Sequence, residues 1–276
     1  AYTMSVMFGN WKYIFKNFWY ILPFAILPAL FLTLSLDYGA ISDLLHMLFS
    51  GHPRGDFVML FRAFSLIRVD SVLGVIYSAV AVITVVLFTA LMIALAEKHM
   101  RIGKRTLGGI STQFGNLILP VLCVTMLYLI LFEVWAVVLS AVMFAISHIS
   151  SAGVVYLLYA LAFAAITVIL FYLCAMFYLW IPGIQITCFK PYHAFVYSYR
   201  LMTGVRGKIV LSFIISFVIF CIVIGGSVFL PEYAFLPIGF LMFVFMYPGF
   251  CIRMETVYFY TDKIDREDLI RSYREL

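Results

Sequence analysis

The sequence predicts an all-α membrane protein, a polytopic bundle of six transmembrane helices. Composition is the first reason, because 65% of the 276 residues are hydrophobic and 11% are charged, whereas a soluble domain is about half apolar and about a quarter charged. The second reason is a mean hydropathy of +1.10. The third is that the basic residues occur in short clusters between long apolar stretches. A water-soluble fold could not bury this much apolar surface, so we expect lipid to surround it.

Six apolar stretches are long enough to span a membrane, since a helix of about 20 residues crosses a hydrocarbon core of about 30 Å. They lie in a single membrane domain that covers residues 1–276. The third and fourth stretches are roughly ten residues longer than a crossing requires, so part of each is expected to tilt, kink or project. The predicted spans are Phe18–Leu36, Ser71–Ala96, Asn116–Ser147, Gly153–Pro182, Ile209–Phe229 and Tyr233–Glu255.

Fifteen of the eighteen Lys and Arg residues fall on one side of these six spans. The positive-inside bias therefore predicts cytoplasmic N- and C-termini in a bacterial plasma membrane. A seventh span, made by splitting the third stretch at Glu133, would move one basic cluster outside, and we reject it for that reason. The clusters are Lys12 and Lys16; Lys98, Arg101, Lys104 and Arg105; Lys190, Arg200, Arg206 and Lys208; and Arg253, Lys263, Arg266, Arg271 and Arg274.

The connections between the spans have distinct patterns. Residues 37–70 form an outer loop with two amphipathic stretches, which predict two short helices that cap apolar helix ends or, as the alternative, act as a lid. Residues 97–115 and 185–208 are predicted to be cytoplasmic interfacial segments, and residues 257–276 to form a cytoplasmic tail helix. The second amphipathic stretch of the outer loop places five apolar residues on one face, namely Phe57, Leu60, Phe61, Phe64 and Ile67.

The odd-numbered spans begin in a similar way. Pro23 and Pro120 lie just inside the first and third spans after aromatic residues, and Arg206-Gly207-Lys208 opens the fifth. Pro-Gly steps recur at Pro182-Gly183 and Pro248-Gly249, near the ends of even-numbered spans. This pattern suggests three helical hairpins of the same sense, which would be parallel repeats. Chance recurrence is the alternative, because membrane helices tolerate proline.

Charge within the spans is scarce, and it is the usual indication of function in a membrane protein. Glu133 lies about 26 Å along the third span, which places it near the outer boundary of the membrane. One interpretation is a carboxylate at the level of the lipid headgroups. The other is a lipid, substrate or coupling site that Glu133 forms with Arg54, Arg62 and Arg68.

The other polar residues indicate no chemistry. Glu97 and Glu255 end the second and sixth spans, where ion pairs with Lys98 and Arg253 would satisfy them. The sequence contains no nucleophile elbow, Walker A loop, HExxH helix or Rossmann fingerprint. Its five cysteines are scattered and its histidines form no i, i+4 pair. We therefore predict no enzymatic activity, no cofactor and no metal site.

The chain resembles a group of uncharacterised bacterial six-span proteins related to the membrane domain of some glycerophosphodiester phosphodiesterases. The resemblance depends on the alternation of interfacial helices and spans, and on Val257-Tyr258-Phe259-Tyr260-Thr261-Asp262 near the end of the sequence. It implies a six-span fold over most of the chain. That group has no agreed active-site residues, so the resemblance assigns no residue a role. A soluble phosphodiesterase domain is missing from this sequence, so we expect no direct hydrolysis of lipids.

Two functions from different classes remain. The first is a non-enzymatic accessory or structural component of the membrane, whose cytoplasmic face or tail engages lipids or a protein partner. The second is a small transporter or lipid-translocating protein that uses a groove between the hairpins and the outer loop. Nucleic acid is excluded as a partner, because the basic residues flank the spans and do not form one stripe. A continuous cavity lined by Glu133 and the outer arginines would favour transport, whereas a closed bundle filled by side chains would contradict it.

Overall fold

The computed structural model describes residues 11–50, 55–102, 110–149, 151–187 and 191–265, and within these ranges the chain is helical with short turns and no β-strand. Six helices are long and apolar enough to cross a membrane. The predicted all-α bundle of six spans is therefore confirmed. In chain order the elements are α1 (residues 11–16), α2 (Phe18–Ser35), α3 (Tyr38–Phe49), α4 (Phe57–Phe64), α5 (Val72–Ile102), α6 (Ile110–Ser147), α7 (Ala152–Phe177), α8 (Trp180–Thr187), α9 (Pro191–Thr203), α10 (Arg206–Ser227), a 3-10 turn (Glu232–Ala234) and α11 (Phe235–Asp265).

The fourth predicted span is interrupted near its end. It was expected to continue to Pro182, but α7 ends at Phe177 and α8 begins at Trp180. Proline has no N–H, and its ring clashes with the carbonyl four residues earlier, which here belongs to Tyr178. Within α8 the proline occupies the first turn, where an N–H has no partner in the helix in any case.

The long helices pack into one connected bundle. Helices α2, α5 and α11 contact one another, α6 contacts both α5 and α7, and α10 contacts both α7 and α11. Gly239 on α11 permits a close approach to α2, because a Cβ atom at this position would lie 2.8 Å from Cγ2 of Thr33. The two helices of each predicted hairpin are neighbours in space, α2 with α5, α6 with α7 and α10 with α11. Whether the hairpins are true repeats stays a prediction.

The bundle has two different ends. The cap end carries α3 and α4, so the two short helices predicted within residues 37–70 are observed. The basic end carries α1, the end of α5 and the end of α11, and the hydroxyl of Tyr13 lies 2.6 Å from Nδ1 of His99 there. Which compartment each end faces stays a prediction.

The connections at the basic end are helical where the structure describes them. Within residues 97–115, α5 continues to Ile102 and α6 begins at Ile110, earlier than predicted. Within residues 185–208, α9 and the first turn of α10 follow the end of α8. Residues 257–265 of the predicted tail helix continue α11. The remainder of that prediction, residues 266–276, lies outside the described residues.

Candidate functional site: an apolar cavity beneath the cap

A cavity of about 450 Å³ lies between the two cap helices and the spans α6, α7 and α10. Small-molecule sites usually measure about 300 to 1,000 Å³ and have mainly apolar walls, so this volume falls in their range. The cavity is partly open to its surroundings. The cap contributes Leu44, Leu48 and Phe64 to its walls, and the spans contribute Trp135, Phe163 and Phe217.

Trp135 organises the aromatic wall of the cavity. Its indole ring packs edge-on against Phe64 of α4 and Phe217 of α10, with centroids 5.8 and 6.1 Å apart. Phe163 of α7 lies 6.3 Å from the same ring. Edge-to-face geometry at these distances is favourable for aromatic pairs. The indole therefore connects the cap to all three spans that surround the cavity.

The indole N–H of Trp135 is the polar atom of greatest interest in this wall. Trp135 is 4% exposed, and its Nε1 atom has no hydrogen-bond partner within the described structure. A buried indole N–H normally finds an acceptor, and leaving it without one costs about 1–3 kcal/mol. The apolar wall of the cavity thus contains one residue, Trp135, with a fully buried donor that lacks an acceptor in the described structure.

The two cap helices are joined by an ion pair. Arg62 on α4 reaches Asp37 at the start of α3, with Nη2 2.7 Å and Nε 2.9 Å from the same carboxylate oxygen. The other oxygen of Asp37 accepts a hydrogen bond from the backbone N–H of Ala40 and so caps α3. Asp37 is 4% exposed, and one carboxylate therefore orders both cap helices.

Glu133 fastens the end of α4 to α6. Its Oε2 accepts a 2.8 Å hydrogen bond from the hydroxyl of Ser65, and its Oε1 accepts bonds from the backbone N–H groups of Leu66 and Ile67 at 2.9 and 3.2 Å. Charge-assisted hydrogen bonds of this kind are about twice as strong as neutral ones. Ser65 and Leu66 also line the cavity. Glu133 therefore holds one wall of the cavity in place without lining the cavity itself.

The remaining predicted site residues lie apart from Glu133. Arg68 pairs with Asp70 through two hydrogen bonds of 2.8 Å, and these bonds hold the pKa of the Asp70 carboxyl below its usual value. Arg54 lies outside the described residues. The described contacts of Glu133 include neither Arg62 nor Arg68. A binding role for this set of residues stays a prediction.

The prediction for Glu255 was wrong. We expected Arg253 to form a local ion pair with it, but Arg253 donates hydrogen bonds to the hydroxyls of Ser212 and Ser216 on α10, at 2.7 and 3.3 Å. Residues two positions apart on a helix do not face each other. Neither carboxylate oxygen of Glu255 has a hydrogen-bond partner in the described structure.

Sequence reasoning did not find the cavity itself, because a void depends on how far separate helices stand from one another. A groove was predicted between the hairpins and the outer loop, and the cavity lies beneath the two helices of that loop. Of the charged residues singled out as the site, the described ones, Glu133, Arg62 and Arg68, do not line the cavity, whereas Trp135 does. Small residues at the walls, Ala63, Ala160 and Gly225, were the sequence signal that could have indicated unfilled space.

Comparisons with protein-family models, with curated proteins and with solved structures found no match to this chain. The resemblance to the membrane domain of glycerophosphodiester phosphodiesterases therefore stays a prediction. The fold and the geometry of the cavity are the basis for a functional assignment.

Proposed function

We propose that this membrane protein is a small lipid-translocating protein that holds the acyl chain of a lipid in the cavity beneath the cap. The observation that carries the proposal is an apolar space of about 450 Å³ between three spans and the two cap helices. The walls lack Glu133, Arg62 and Arg68, which the sequence analysis expected in a transport cavity, so the apolar lining supports a lipid as cargo and not an ion. The accessory role stays a prediction.

The volume of the cavity argues for an occupant. The cavity is partly open to its surroundings, so molecules that surround the protein in a membrane can enter it. Water is a poor occupant, because each buried water needs two to four polar partners and these walls are mostly apolar. In a bilayer the apolar group at hand is an acyl chain.

The ring of Trp135 supplies part of the apolar surface for such a ligand. Its indole N–H has no hydrogen-bond partner in the described structure but is enclosed by the surrounding residues, so the contact that the wall offers to an acyl chain is apolar.

The orientation of the cavity follows from the basic residues. By the positive-inside bias we place the basic end in the cytoplasm of a bacterial cell and the cap end outside. The ligand would then come from the outer leaflet. The cap is attached to the spans near the cavity by few polar contacts, among them the hydroxyl of Tyr156, which donates to the carbonyl of Leu48 at 2.9 Å. Separation of α3 from α7 would break this bond and widen the cavity.

Two adjacent glycines offer a matched test of lipid binding. Gly225 lines the cavity, and a Cβ atom there would meet Leu45 at an ordinary 3.8 Å. Gly226 is exposed on the next position of the same helix, and a Cβ atom there would meet nothing within 4 Å. Gly225→Leu fills the cavity, whereas Gly226→Leu adds the same side chain outside it.

The experiment uses the full chain in nanodiscs with a phospholipid that carries a photoreactive diazirine on its acyl chain. We expect labelling of peptides around Trp135 and Phe163, reduced about tenfold by Gly225→Leu, the effect of about 1.4 kcal/mol, and unchanged by Gly226→Leu. Equal labelling of both variants would overturn the proposal. Translocation is measured separately, with a fluorescent lipid in liposomes. If the lipid labels the protein but the protein does not accelerate lipid translocation, the protein binds lipid and the proposed translocation role is wrong.

A further inference from the structure

The cavity beneath the cap opens on one side of the bundle. Of the described residues that line the cavity, only Ala160 on α7 and Cys221 on α10 are exposed, and the others are buried or half-buried. Exposed lining residues mark the place where a cavity reaches the surface of the protein. The opening therefore lies between α7 and α10 and not within the cap.

Contacts on both sides of Ala160 set the length of this opening. Toward the basic end, the rings of Phe163 and Phe217 stack with their centroids 6.0 Å apart, and they join α7 to α10. Toward the cap end, the hydroxyl of Tyr156 on α7 donates to the carbonyl of Leu48 on α3 at 2.9 Å. The positions of Tyr156 and Phe163 in the sequence place them about 10 Å apart along α7 at 1.5 Å per residue.

The surface around the opening is apolar. On α7, Leu157 and Leu161 are 61% and 57% exposed, and on α10, Ile222 is 67% exposed beside Cys221. Both helices belong to the six that are long and apolar enough to cross a membrane, and Ala160 lies about 12 Å from the start of α7. Exposed apolar side chains on a membrane span contact lipid tails. The opening therefore faces the hydrocarbon of the membrane and not water.

The wall formed by α6 is buried where the rim of the opening is exposed. Trp135 on α6 is 4% exposed, and its ring lies 6.3 Å from Phe163 and 6.1 Å from Phe217. The path from the rim to Trp135 thus leads from the surface of the bundle to its interior. Its walls are mostly apolar throughout.

We infer that this opening is the entrance of the cavity, and that an acyl chain passes through it sideways from the membrane. The inference rests on the proposed function, and it identifies the ligand as a lipid of the bilayer and not as an amphiphile dissolved in water. The small side chains of Ala160 and Cys221 leave room for a chain. An apolar chain that moves from lipid into apolar walls gives up no contact with water. The end of the chain then lies near Trp135, and the part next to the headgroup lies at the rim.

The experiment uses the full chain in nanodiscs with two phospholipids, one with a diazirine at the end of an acyl chain and one with a diazirine next to the ester. We expect the chain-end probe to label Trp135 and the ester-proximal probe to label Ala160 and Cys221, as located by mass spectrometry. Chain-end labelling at the rim with ester-proximal labelling of Leu44 would mean that the chain enters through the cap. That result would overturn the entrance and leave lipid binding in place. A cavity that neither probe labels would overturn the proposed function, and the entrance with it.

A matched pair of variants tests the entrance without relying on the order of labelling. Ala160→Trp places a large side chain at the rim, and it should reduce labelling of Trp135 by the chain-end probe about tenfold, the effect of about 1.4 kcal/mol. Leu161→Trp adds the same side chain at the next position, which is exposed but does not line the cavity, and it should leave this labelling unchanged. Labelling of Trp135 that persists in Ala160→Trp, or that falls equally in both variants, would overturn the entrance.

Discussion

The cap end and the basic end of the bundle use their interiors in opposite ways. Beneath the cap, an apolar space of about 450 Å³ is bordered by aromatic rings. Toward the basic end, the cavity between α2, α5 and α11 holds about 10 Å³, roughly enough for one water molecule. Buried charges occur at both ends, but their partners differ. At the cap end Asp37 is 4% exposed and pairs with Arg62, whereas at the basic end Glu255 is fully buried and both of its carboxylate oxygens lack a hydrogen-bond partner in the described structure.

This difference shows that the two ends of one bundle have different unmet needs. An apolar space needs apolar groups to fill it and few directed contacts. A buried carboxylate needs a positive charge or a donor at short range, because it has lost the water that would otherwise solvate it. The cap end therefore offers an apolar surface, and the basic end holds a carboxylate without a hydrogen-bond partner in the described structure.

The largest expected effect comes from shortening one buried side chain at each end of the bundle. Ile93 on α5 is fully buried in the core of the basic end, so Ile93→Ala should lower the free energy of unfolding by about 4 kcal/mol by creating a new void. Met143 lines the cavity, so Met143→Ala only enlarges a space that lipid can fill, and should cost about 1 kcal/mol. Thermal unfolding in nanodiscs measures both. Equal losses would mean that the two interiors are packed alike.

Glu133 tests how the cap is held. Glu133→Ala leaves the backbone N–H of Leu66 without its acceptor. The N–H of Ile67 and the hydroxyl of Ser65 each lose one bond but keep the bonds that join Ser65 to Ile67. The change should lower the free energy of unfolding by about 2 kcal/mol. Glu133→Gln keeps one acceptor oxygen and should lose about half as much. Hydrogen exchange should accelerate at residues 65–67 and not at α5. Unchanged exchange there would separate Glu133 from the ordering of the cap.

Gly239 tests the close approach of α11 to α2. Gly239→Ala would push a methyl group to 2.8 Å from Thr33, and this overpacking should cost about 2 kcal/mol. Gly226→Ala is the control, because its methyl group would meet nothing within 4 Å and alanine favours a helix. A Tm that falls in the first variant and holds or rises in the second would support the contact. The reverse order would contradict it.

The smallest expected effect concerns pH at the cap. The hydrogen bonds from Arg68 hold the pKa of Asp70 below its unfolded value, so their contribution is present above the unfolded pKa and is lost as pH falls through the lower folded pKa. Because the pair lies at the surface, Asp70→Asn should cost at most about 0.5 kcal/mol. Unfolding is measured from about pH 6 to about pH 3, a range that includes the usual pKa of aspartate. The stability advantage of the wild-type protein should decline toward the acidic end of this range. An advantage that persists unchanged would contradict this assignment.

The fold was predictable because its signals are local and numerous. Each span is an apolar run of sufficient length, and Asp37 precedes an amphipathic stretch, so α3 and its cap could be expected from neighbouring residues. The site was less predictable. Glu133 drew attention because charge is scarce in the spans, but its three hydrogen bonds to residues 65–67 connect positions far apart in the chain. The error at Glu255 has the same origin, because Arg253 is its neighbour in sequence but faces a different helix.

The sequence by itself determined the membrane class, the number of spans and the presence of helices in the outer loop, since these follow from apolar length, periodicity and capping residues. Only the tertiary structure decided where space remains and which buried charges lack partners. In the sequence, an apolar residue that fills a core cannot be told from one that borders a cavity. The distance between two helices depends on which residues meet at their contact, as Gly239 meets Thr33. Helix packing therefore placed the apolar cavity at one end of the bundle and, within the described residues, the carboxylate without a hydrogen-bond partner at the other.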